Sequence, residues 1–243
     1  MKKSKEYFEE LSRVMTQVRE TQEPAIDSAA KAVAETLLNG GTVFTFGTGH
    51  SHILAEEIFY RAGGLVKVYP LLDSPLMLHI NASRSSNMER VSGYAETLWD
   101  GIETGANDVI FIFSNSGRNA VPVDMALAAK ARGLKVICIT NLKHTRSVSS
   151  RHPAGKKLFE VSDIVIDNCG AIGDAAISVG EYVCGPTSTA VGAAILQSIV
   201  CGAVEKVLEA GRDPEVFKSS NVDGGDAVNE AFIEKYKKQI RIL

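Results

Sequence analysis

Asp108-Val109-Ile110-Phe111-Ile112-Phe113-Ser114-Asn115-Ser116-Gly117-Arg118-Asn119 joins an unbroken apolar run to a turn of small polar residues. The run does not alternate with polar side chains. As a strand it must be buried on both faces, which implies a parallel sheet. A helical pattern follows over 121–132, with Pro122 in its first turn and Gly133 just past its end. Strand, polar turn and helix in that order form the repeating unit of an α/β fold.

The same unit recurs on either side. Short Val-, Ile- and Phe-rich runs at 42–46, 66–69, 135–140 and 163–167 are each bounded by turn residues. Helical patterns lie between them at 53–61 and 91–102, and further ones come later at 187–209 and 227–239. Ahead of the first strand stand two apolar stripes at helical spacing. One holds Tyr7, Phe8, Leu11, Val14, Met15 and Val18; the other holds Ile26, Ala29, Ala30, Val33 and Leu37, after Pro24. The pattern predicts two N-terminal helices and a doubly wound three-layer αβα sandwich on a five-stranded parallel sheet. One domain over 1–243 is expected, with helices at 1–39, the α/β core at 40–210 and a C-terminal tail and helix at 211–243.

Composition narrows the function. A chain of 243 residues, 45% hydrophobic, is long enough for one full core. A net charge of −3 gives no broad attraction to nucleic acid or to an acidic membrane, and neither is expected as a partner. Cys138, Cys169, Cys184 and Cys201 are widely spaced and read as reduced thiols. The chain starts Met-Lys-Lys-Ser-Lys with no apolar leader, so a cytoplasmic location is expected. The apolar stretch at 187–209 is interrupted by Gly192, Gln197, Gly202 and Glu205 and reads as a core helix rather than a membrane span.

In open α/β sheets ligands bind beyond the carboxyl ends of the strands. Two of those ends are rich in glycine and hydroxyls. The first is Phe46-Gly47-Thr48-Gly49-His50-Ser51-His52 and the second is Ser114-Asn115-Ser116-Gly117-Arg118-Asn119. Glycines let the backbone come close to a ligand, and a helix start favours an anion. The first loop lacks the third glycine of G-x-G-x-x-G, and the chain has no P-loop lysine motif. The second predicted strand ends at Tyr69-Pro70 with no acidic residue. Dinucleotide binding is therefore disfavoured.

Strand, G-x-G-x-S, helix, strand, helix, strand, S-x-S-G-x-N resembles the sugar isomerase (SIS) family of phosphosugar-binding domains. The likeness spans roughly 25–210. It includes members such as the phosphoheptose isomerases, and Ser150 to Leu158 with Val165 to Asn168 is similar to an SIS subgroup defined by its domain alone. The resemblance implies that Ser114, Asn115, Ser116 and Asn119 hold a phosphate, and that Thr48, Gly49, His50 and Ser51 line the sugar side. It implies a sugar-phosphate aldose–ketose isomerase that needs no cofactor and no metal. The stretch 213–219 is faintly similar to a family tail that closes over bound sugar.

Isomerisation needs a ring-opening group and a base that moves a proton between adjacent carbons. Glu57, on the helix after the first loop, is the first choice of base; Glu56 stands beside it, and Arg61 occupies the place where a phosphoheptose isomerase carries its Glu. Glu89 is a second carboxylate, in the region where related etherases place an acid. His79 lies where family members carry a ring-opening histidine. His144 and His152 fall in a basic stretch at 141–157, and Asp167, Asp174 and Asp223 are candidates for sugar hydroxyls. His50-x-His52 has the spacing of two metal ligands but no evident third. Alternatives are a non-catalytic phosphosugar sensor and an SIS-type lyase acting on an amino-sugar phosphate. The abundance of apolar helical stripes predicts a homodimer or homotetramer.

Overall fold

The computed structural model describes residues 2–243, and the chain opens with one long helix, α1 (Lys2–Leu38). Next come β1 (Val43–Gly47), α2 (His52–Glu57), β2 (Val68–Leu71), α3 (Ala82–Met88), α4 (Tyr94–Thr97), β3 (Val109–Phe113) and α5 (Ala120–Ala131). These lead to β4 (Lys135–Thr140), α6 (Leu142–Ser147), α7 (Leu158–Val161) and β5 (Ile164–Asp167). A hairpin of β6 (Ala175–Val179) and β7 (Tyr182–Pro186), then α8 (Ser188–Glu209) and α9 (Gly225–Tyr236), complete the chain.

The five apolar runs pair in parallel in the order β2-β1-β3-β4-β5. Their unbroken hydrophobicity has a direct cause. In β3, Val109, Phe111 and Phe113 enter the core beneath α1 and α8, while Ile110 and Ile112 enter the opposite core with Val121 and Met125 of α5. β4 divides likewise, with Ile137 and Ile139 on one side and Val136 and Cys138 on the other. Burying each such large side chain contributes roughly 1.5–3 kcal/mol, so both helical layers are fixed by the sheet's own sequence. The architecture is the three-layer sandwich read from the sequence.

Several elements differ from expectation. The two N-terminal stripes belong to one helix of 37 residues with Pro24 inside it. An interior proline costs about 3 kcal/mol. Val14 and Val18 before it, and Ala29, Ala30 and Val33 after it, lie in a single core together with buried residues of α8. Continuing the helix keeps both stripes there. The helix expected at 91–102 shrinks to Tyr94–Thr97, because Gly93 takes φ 82° and starts a new turn. The β6–β7 hairpin has no counterpart among the elements expected from the sequence. Its strands lie outside the main sheet and are largely exposed, so they carry no buried apolar run to detect.

The tail also departs from the similarity noted for 213–219. Leu65 pairs with Val216, Val66 N–H donates to the Glu215 carbonyl at 2.9 Å, and Gln239 Nε2 donates to Thr42 Oγ1 at 2.7 Å. Those partners precede β2 and β1, so the tail crosses the amino-terminal edge of the sheet. It does not close over the loops at the carboxyl edge. Among the described residues, α8 is long and apolar enough to cross a membrane. Here its Val191, Ile195, Leu196, Ile199, Val200, Ala203 and Val207 are buried in the core.

Candidate functional site

Strands β1 and β3 are neighbours, yet their following helices leave on opposite faces. Leu54 and Ala55 of α2 are buried in one core and Val121 and Met125 of α5 in the other. A crevice must open between the carboxyl ends of such a pair. Both polar loops lie there.

Local sequence shapes each loop. A Cβ at Gly47 would stand 2.3 Å from the Ser51 carbonyl oxygen, so only glycine allows the chain to fold back on itself after β1. His52 Nδ1–H donates to the Gly49 carbonyl and braces that turn. In the second loop Gly117 takes φ +57°, and its N–H donates to Ser114 Oγ at 3.1 Å. The Asn115 carbonyl accepts from Asn141 N–H at 3.0 Å, and Asn115 Oδ1 accepts from Asn168 Nδ2 at 2.8 Å. Among the described residues, the hydroxyls of Ser51 and Ser116 have no protein partner.

A cavity of about 290 Å³ lies between the loops, near the low end for small-molecule sites. Thr48, Gly49, His50, Ser51, Ser114, Asn115, Ser116 and Asn119 all line it, together with Glu89. A smaller hollow of about 110 Å³ shares His50, Ser51, Ser114 and Asn115 and adds Asn168, Asp174 and Ser188. A larger hollow of about 500 Å³ exists at the opposite edge of the sheet, between Asp108 and the tail residues Lys238 and Arg241. It has no strand-end loop and none of the chemistry described here, so the crevice is the stronger site.

Glu89 follows α3, and its carbonyl accepts from Val121 N–H at 3.1 Å, tying it to the start of α5. Its carboxylate is held from both sides. Thr48 Oγ1 donates to Oε2 at 2.9 Å, and Asn119 Nδ2 donates to Oε1 at 2.7 Å. Asn119 is oriented in turn by Arg151, whose Nη1 donates to its Oδ1 at 3.0 Å. Burial pushes the Glu89 carboxyl above the usual carboxylate range; the Thr48 bond and the Arg90 and Arg151 charges act against it. A carboxylate of raised basicity, aimed by two neutral donors, is suited to accept and return a proton.

The other candidates are placed differently. Glu57 faces Arg61, which it pairs with, and accepts from Gln197 Nε2 at 3.1 Å. It does not line the cavity. His79 is exposed beyond the cavity wall, its ring 5.8 Å from that of His52. His152 Nε2 bonds Asp124 Oδ1 at 2.8 Å and serves as a strut. Asp167 Oδ1 accepts from Leu142 N–H and Cys169 N–H, both at 3.0 Å. Among the described residues no cluster of three or more metal-ligating side chains forms. Asn168, Ser188, Leu78 and Ser86 also line the two hollows, and none of them is marked as a site residue by the sequence alone. In the sequence His144 carries less weight than His50 and His79, and nothing there separates Asp174 from Asp167 and Asp223.

An SIS domain model matches residues 6–141. The chain belongs to the SIS domain family. Relatives at higher identity carry the name UPF0309 protein. One from Geobacillus thermodenitrificans is 45% identical over 98% of this chain and 96% of its own length. Another, from Oceanobacillus iheyensis, is 43% identical over 98% of each. A phosphoheptose isomerase from Francisella tularensis shares the SIS fold, with a TM-score of 0.54 at 18% identity over 85% of this chain and 96% of that one. The Vibrio vulnificus NanR protein complexed with ManNAc-6P aligns with a TM-score of 0.52 at 16% identity, over 99% of this chain and 69% of that one.

Proposed function

We propose that this SIS domain binds a sugar phosphate and interconverts its aldose and ketose forms. The observation that carries the reading is that Glu89, half-buried and doubly held, faces the same cavity as the Ser114–Asn119 loop. The free Ser116 hydroxyl, the Asn115 amide and the backbone of that loop receive the phosphate, and Thr48, Gly49, His50 and Ser51 face the sugar. Similarity to a phosphoheptose isomerase and to a protein complexed with ManNAc-6P supports the substrate class.

In the open-chain aldose, Glu89 removes the proton from the carbon next to the carbonyl. The C–H electron pair forms a carbon–carbon double bond, and the carbonyl π pair moves to oxygen, giving an enediolate. The neighbouring hydroxyl proton passes to that oxygen. The second oxygen becomes the new carbonyl as Glu89 returns its proton to the former carbonyl carbon. Every atom is retained, and no external reductant or oxidant is needed.

The exposed apolar side chains Phe8, Tyr182, Val183 and Leu208 support pairing between copies of the chain. Sedimentation showing a strict monomer at micromolar concentration overturns that part of the reading.

The test is a thermal-shift panel of sugar phosphates, free sugars and nucleotides, followed by NMR in heavy water with whichever sugar phosphate binds. Ligand binding to the folded state raises Tm by mass action. A shift confined to a sugar phosphate, with solvent deuterium appearing at the carbon beside its carbonyl, fits isomerisation. A shift without deuterium uptake leaves the protein a phosphosugar sensor. A shift with nucleotides alone sinks the reading.

A further inference from the structure

His144 stands in the cavity wall with Glu89, Ser116 and Asn119. It is set rigidly: its backbone N–H donates to Asn141 Oδ1 at 2.8 Å in the first turn of α6. Its ring has one bond, and that bond is informative. The Gly173 N–H donates to His144 Nδ1 at 2.7 Å. A backbone N–H can only donate, so Nδ1 must present its lone pair, and the ring proton must sit on Nε2. Protonating both nitrogens breaks the Gly173 bond. Among the described residues, Nε2 has no partner. Burial and the nearby Arg118 charge both hold the imidazole below its ordinary pKa, with Asp174 acting against them. The ring is thus a neutral donor with one free N–H.

We propose that His144 is the electrophilic donor of this site, its Nε2–H bonding the substrate oxygen that gains negative charge as Glu89 takes the carbon-bound proton. The assignment rests on the isomerase reading above. A neutral imidazole is well matched to this task. It stabilises the enediolate oxygen without surrendering a proton to solvent at neutral pH, and its donor is already aimed before the charge develops. It shares the cavity wall with Glu89, so proton transfer and charge stabilisation fall to different groups with different environments. Gly173 is the positioning residue that fixes the tautomer.

Two measurements test this on the intact protein. The first is the ring ¹⁵N spectrum of His144, assigned by its loss in His144→Gln. The Nε2–H tautomer persisting across neutral pH is expected, and an Nδ1–H tautomer overturns the proposal. The second compares binding of a sugar-phosphate hydroxamate, which mimics the planar enediolate, with that of the matching alditol phosphate, which has no carbonyl. His144→Leu should weaken the hydroxamate by roughly tenfold or more while leaving the alditol phosphate within about threefold. His144→Gln, which keeps an N–H near the Nε2 position, should recover part of that loss. Equal weakening of both ligands, or of neither, overturns the proposal while the site stands. Failure of every phosphate ligand to bind the unaltered protein overturns the isomerase reading itself and this proposal with it.

Discussion

Asn119 donates its side-chain amide to Glu89 Oε1 at 2.7 Å, so the loop after β3 grips a carboxylate that the chain supplied thirty residues earlier. The contact joins the middle of the β2-to-β3 crossover to the start of α5 at the cavity, and it holds a group whose ionisation is opposed by burial.

Replacing Glu89 with Gln therefore stabilises the protein at neutral pH. The folded-state pKa lies above the unfolded value, so the Glu89 contribution is intact at acid pH and is lost as pH rises through the folded pKa. Gln cannot ionise and keeps an oxygen for Asn119. Calorimetry should show little difference in acid and a higher Tm for the variant at neutral pH. A gain of ~1 kcal/mol corresponds to about 2–4 °C for a chain of this size. Any isomerase turnover should fall by orders of magnitude in the same variant.

Ser116 is the cleanest probe of the cradle because its hydroxyl has no protein partner among the described residues. Ser116→Ala should leave the ligand-free Tm unchanged. It should weaken sugar-phosphate binding by about 1 kcal/mol, roughly fivefold, and further if the hydroxyl meets a charged phosphate oxygen. Titration calorimetry giving unaltered affinity removes Ser116 from the site.

Asp174 caps α8. Its Oδ1 accepts from Ser188 N–H at 2.9 Å and Thr187 N–H at 3.2 Å, and its Oδ2 accepts from Ser188 Oγ at 2.6 Å. Asp174→Ala should cost roughly 1–2 kcal/mol by denaturant melting, the usual range for a lost cap. It should also alter ligand affinity, because Asp174 and Ser188 line the smaller hollow.

Phe217 of the tail is buried edge-on to Tyr60 and Phe232, with ring centroids 5.2 and 6.1 Å away. Phe217→Ala should cost about 3–5 kcal/mol of stability. Sugar-phosphate affinity of the remaining folded protein should be unchanged, since the tail lies at the far edge of the sheet. A selective loss of affinity would return the tail to the site.

The readable parts of the sequence were those where burial leaves a period or a gap in it. The five strands stood out because both faces of β3 and β4 are covered, and the loops stood out because residues such as Gly47 and Gly117 tolerate no Cβ without strain. Pro24 misled, because the shared core of α1 and α8 outweighs a local penalty that the sequence displays plainly. The choice between Glu57 and Glu89 was not legible. Helical spacing places Glu57 near the first loop but cannot show that Arg61 and Gln197 turn it aside. Nor could any motif reveal that Gly173, a turn glycine, sets the proton on His144.

The packing of α1 on α8 has a consequence for synthesis. A ribosome completes α1 long before α8, with the whole parallel sheet between them. At about 5–20 residues per second, the apolar stripe of Val14, Val18, Ala29 and Val33 waits on the order of ten seconds for its cover. Until α8 emerges, the strands can cover α1 only on its sheet side, and the side that packs on α8 stays exposed.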